Sequence, residues 1–136
     1  MRTATMAAAV IAAILLAGCS SGDDANATYA RGRAKDVCRD LGLNPGGSSG
    51  TPRGDSTPVD WAEAAKEGDS LADKAAAAAD TDPRWTRLAD SINTMTMIVQ
   101  GIADRGDTGL ADDDRPAFTD ANRTLHAECR KAFAGG

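Results

Sequence analysis

The chain has 136 residues, a formal charge of −5, 42% hydrophobic residues and only 4% aromatic ones. An acidic chain repels phosphate backbones and anionic headgroups, which argues against nucleic-acid binding and against lying flat on a membrane surface. The length suits one domain, and so few large apolar residues leave it a thin core.

The first eighteen residues have three parts. Arg2 is positive, Ala7 to Ala17 is an uninterrupted apolar run, and Ala17-Gly18 places small residues just before Cys19. A membrane-spanning helix needs about 20 apolar residues, and Ser20-Ser21-Gly22-Asp23-Asp24 stops this run well short. The segment therefore reads as a secretory signal, to be left out of the fold.

Leu16-Ala17-Gly18-Cys19 resembles the lipobox of bacterial lipoproteins. The resemblance covers residues 1–19 only. It implies cleavage between Gly18 and Cys19, a diacylglycerol on the Cys19 thiol with palmitate-type acyl chains, and a protein held on the outer face of the cell membrane. Two or more acyl chains anchor stably where one holds only marginally. Arg outnumbers Lys 11 to 4 and Asp outnumbers Glu 17 to 3, a usage resembling that of high-GC genomes and pointing to an actinobacterium. Loss of the leader leaves 118 residues and, with Arg2 gone, a charge of −6.

The mature chain reads as all-α, a four-helix bundle stapled by a disulfide. Residues 19–28 form the lipidated cysteine and a short acidic tether, and residues 29–136 the helical domain. The first helix is expected near 26–42, with Ala30, Ala34, Val37, Cys38 and Leu41 on one face. Asn44-Pro45-Gly46-Gly47-Ser48-Ser49-Gly50 lies in a flexible linker over 43–57.

A second helix is expected near 58–79, with Thr57 as N-cap and Pro58 at its first position. Trp61, Ala64, Gly68, Leu71, Ala75 and Ala78 make its seam. Gly68 costs about 1 kcal/mol against Ala in a helix, so its presence points to a close contact or a bend. The third, near 82–104, has the clearest period: Trp85, Leu88, Ile92, Met95, Val99 and Ile102 at alternating steps of three and four. Asp82 suits its N-cap, Pro83 its first position, and Gly106 with Gly109 its end. The fourth, near 113–133, opens on Asp112, Asp113 and Asp114 and buries Phe118, Ala121, Leu125, Cys129 and Ala132. Short connections make helices two, three and four antiparallel neighbours. Trp85 should then sit by Ala78 and Ala79, and Trp61 by Ile98 and Ile102 at the other end.

With Cys19 acylated, Cys38 and Cys129 remain, an even pair in an oxidising compartment, and a disulfide is the expected pairing. Two buried thiols or a metal pair are the alternatives, but no His or further Cys stands at ligand spacing.

Other chemistry is sparse. His126, the single histidine, falls at the edge of the fourth stripe. A catalytic base or, with Met95 or Met97, a haem ligand is conceivable there. The likeness to cytochrome b562-type bundles is architectural only, however, no CxxCH motif accompanies it, and Met in an apolar stripe reads as core filler. Asp104, Asp107, Asp112, Asp113 and Asp114 gather oxygen ligands suited to calcium, but not in EF-hand order. Arg-Gly-Asp occurs at 53–55 and 105–107, where turn chemistry explains it. Ser48, Ser49 and Ser56 lie in the linker, too mobile for a nucleophile. No catalytic residue, metal or cofactor is expected. The function expected is a non-enzymatic structural or interaction module with an envelope protein as partner. The rival is a carrier of small apolar ligands, with a cavity between the second and third helices.

Overall fold

The computed structural model describes residues 20–45 and 58–134. The leader, Gly18, Cys19, Thr57 and most of the linker, with its serines and the first Arg-Gly-Asp, lie outside these residues. Among those described, four α-helices and one 3₁₀ turn make up the regular structure. They are α1 (Ser20–Asp40), α2 (Trp61–Thr81), the turn Pro83–Trp85, α3 (Thr86–Arg105) and α4 (Arg115–Ala134). The all-α, disulfide-stapled bundle is the architecture the sequence predicts.

All four helix starts differ from expectation, and for α2 and α3 the reason is a local cap. α2 begins at Trp61, not at Pro58, because Asp60 caps it. Its carboxylate accepts from the backbone N–H groups of Ala62 (3.0 Å) and Glu63 (3.1 Å), satisfying two of the four donors that a helix start leaves open. Asp82 and Pro83 do open the next element, but that element is a 3₁₀ turn. Asp82 accepts from the Arg84 N–H at 3.0 Å, and the α-helix proper starts one turn later, at Thr86. α4 starts at Arg115, two residues after its expected start.

α1 is the largest departure. It is helical from Ser20, so residues 20–28 of the segment expected as a tether belong to the first helix. Gly22 to Asn26, Thr28 and Tyr29 are nevertheless exposed, and burial begins at Ala30. One local feature favours helix there: Asp23 in the first turn, facing the positive end of the helix dipole.

α1 and α3 end on glycines. Gly42 adopts a left-handed backbone (φ 72°), its N–H bonding the Arg39 carbonyl at 2.8 Å while the Leu43 N–H bonds the Cys38 carbonyl at 2.8 Å. This double closure is the Schellman arrangement, and Leu43 packs back on the core as that motif favours. Gly106 (φ 68°) closes α3 in the same way, through Gly106 N–H to Ala103 O and Asp107 N–H to Ile102 O, both 3.1 Å.

α2 and α3 share the most extensive interface of the fold, followed by α3 with α4 and α1 with α2. Gly68 explains the first of these. A Cβ at this position would lie 2.7 Å from Thr96 Oγ1, 3.0 Å from Cγ2 and 3.3 Å from Cβ, so only a glycine lets α2 come this close to α3. The seam of α3 divides into buried Trp85, Leu88, Ile92 and Ile102 and half-buried Met95 and Val99.

The main apolar cluster lies at the end where α2 turns into α3. It joins Ala30, Ala34, Val37 and Cys38 of α1 to Ala75, Ala78, Trp85, Leu88, Ile92, Leu125, Cys129 and Ala132, with Ala79 packed against it. Trp85 thus sits where its antiparallel register predicts. Trp61 is half-buried and, like Ile102, lies outside this cluster. Burying a Leu, Ile or Val side chain stabilises by roughly 1.5–3 kcal/mol, and five of the twelve positions here are alanine, which contributes less. A cross-link supplements the small core. Cys38 and Cys129, both buried, form a disulfide with Cα atoms 5.6 Å apart that joins the first helix to the last.

Candidate functional site

The expected site residues do not converge. His126 is exposed on α4, Met97 is 62% exposed on α3, and neither lines the groove between those helices. Met95 packs against the core as an apolar filler. No group of three or more His, Cys, Asp or Glu residues placed to hold a metal occurs among the described residues.

The acidic loop between α3 and α4 is answered by arginines from within. Arg105 donates from Nε to Asp107 at 2.6 Å and from its terminal nitrogen to Asp114 at 3.3 Å, while Arg115 bonds Asp112 at 2.9 Å. The Asp107 carboxylate, through its hydrogen bond, raises the Arg105 pKa above its ordinary value. Three of the five carboxylates are therefore engaged by cations, and the second Arg-Gly-Asp is folded on itself with Arg105 clasping Asp107.

The group the sequence reading missed is Glu128. It lies on the buried stripe of α4 with Ala121, Leu125 and Ala132, and it is only 1% exposed. Lys131, one turn on, donates to Oε1 at 2.7 Å, and Arg87 of α3 approaches the same oxygen at 3.8 Å. That second distance is an ion pair, too long for a hydrogen bond. Oε2 is buried with no hydrogen-bond partner, as is Trp85 Nε1. Glu128 is legible afterwards as an acid at the 3/4 step of an apolar stripe, with Lys131 three residues on to neutralise it.

Beyond Arg87 runs a polar groove of about 400 Å³ between α3 and α4. Arg87, Asp90, Ser91 and Thr94 line one side, Asp120 and Thr124 the other, with Ala117 and Ala121 giving it width. The hydroxyls of Ser91 and Thr94 donate back to the carbonyls of Arg87 and Asp90 at 2.7 and 2.9 Å, so they face the groove as acceptors. A second recess, of about 290 Å³, is bounded by Arg33, Asp36, Arg39 and Asp40 of α1 and Lys74 of α2. There Lys74 bonds Asp40 across the helices at 2.7 Å. Both surfaces are charged and open, fitting polar contacts with a macromolecule better than enclosure of an apolar molecule.

At the α2–α3 corner Asp82 is nearly buried and holds Arg84 by two carboxylate oxygens, the shortest contact 2.6 Å. The Arg84 side-chain hydrogen bonds keep its carboxyl below the usual carboxylate range, against the opposing effect of burial. This pair is a structural clasp at a helix corner.

No protein-family model matches the chain, and no curated protein or solved structure does.

Proposed function

We propose that the protein is a lipid-anchored, extracytoplasmic module of the bacterial cell envelope that works by binding another envelope protein. The observation that supports this reading is the buried disulfide between Cys38 and Cys129, 91 positions apart. Such a bond is formed and kept in oxidising compartments, where a chain with the Leu16-Ala17-Gly18-Cys19 leader would be delivered. Acyl chains on Cys19 would fix the mature domain to the outer face of the membrane.

The part played there is non-enzymatic in this reading. The single histidine is exposed, and the buried carboxylate Glu128 is occupied by Lys131. The polar α3–α4 groove and the charged recess beside α1 are the surfaces best suited to a protein partner. A carrier of apolar ligands between α2 and α3 is less well supported, because Thr96 fills the space beside Gly68 at that interface.

The test is cross-linking in intact membranes followed by pull-down, with the lipidated protein as bait and a Cys19→Ser variant as control. A defined envelope protein recovered with the lipidated form, and lost with Arg87→Glu in the groove, is the expected result. Recovery of lipids alone, with no protein reproducibly enriched, would overturn the reading.

A further inference from the structure

We draw no further inference here: the strongest candidate, the polar groove between α3 and α4 that ends near buried Glu128, carries nothing beyond the surface already described, because the unpartnered Oε2 of Glu128 is sealed from solvent and does not line the groove, and nothing in the structure shows what covers it.

Discussion

Breaking the Cys38–Cys129 bond is the perturbation whose size follows most directly from the fold. The bridge closes a loop of 91 positions. In the chain-entropy treatment, a loop of that length removes about 4.6 kcal/mol of conformational freedom from the unfolded chain at 25 °C. Small domains have total stabilities of only about 5–15 kcal/mol. Seven of the fifteen buried hydrophobic residues are alanine, which buries little apolar surface, so the lower part of that range is expected. The bond is buried at both sulfurs, and reductant must reach it through unfolding. Urea titrations of the mature domain, followed by far-ultraviolet circular dichroism with and without a phosphine reductant, should therefore be run to equilibrium. The reduced protein should lose 4–5 kcal/mol, a fall in midpoint temperature of about 18 °C at roughly 4 °C per kcal/mol for a domain near 100 residues. A loss below about 1 kcal/mol would refute the reasoning, because the loop entropy of a 91-position closure is too large to vanish unless the unfolded chain is already compact.

Gly68→Ala should destabilise by about 1 kcal/mol, since overpacking costs of about 1–3 kcal/mol exceed the helix-propensity gain of about 1 kcal/mol. In a Thr96→Ala background the same substitution should stabilise, and a double-mutant cycle by urea unfolding that shows no change of sign would remove the close-contact explanation. Lys131→Ala should cost about 2 kcal/mol by the same measurement, as it strips a charge-assisted hydrogen bond from a buried carboxylate. Combined with Glu128→Gln its cost should drop below about 0.5 kcal/mol, within the usual range for a surface change; equal costs in both backgrounds would show that the two side chains are not coupled. Asp82 supplies a pH signature. Its folded pKa lies below that of the unfolded chain, so its contribution is full above about pH 4, the unfolded carboxylate value, and is lost as pH falls through the folded one. The stability gap between the protein and Asp82→Asn should thus stay constant from pH 7 to 5 and narrow below pH 4, whereas a gap that widens on acidification would reverse the assigned sign.

The helices themselves were legible because their signals are local and repeated. Trp85 to Ile102 keeps its period over five steps, Gly106 stops the run, and Asp82 with Pro83 starts it. Gly68 was readable as a close contact because a glycine in an otherwise good helix former needs a packing reason. The start of α2 was not readable, because Thr57-Pro58 and Asp60 are competing caps three residues apart; the carboxylate that reaches two N–H groups wins. The reach of α1 to Ser20 was hidden by composition, since Ser, Asp, Asn and Gly are weak helix formers and carry no apolar period. Charge pairing across elements was the least visible layer. Nothing local says that Arg105 of α3 reaches Asp114, or that Arg87 of α3 faces Glu128 of α4. Such contacts depend on helix register, which the pattern of apolar residues fixes only to within a turn.

Intact-mass and peptide mass spectrometry on the protein extracted from its native membranes measures export most directly. The predicted spectrum shows a chain beginning at Cys19 that carries a diacylglycerol on its thiol, together with a cross-linked peptide pair containing Cys38 and Cys129. A chain that begins at Met1, bears no lipid, and keeps all three thiols free in the soluble fraction would contradict it.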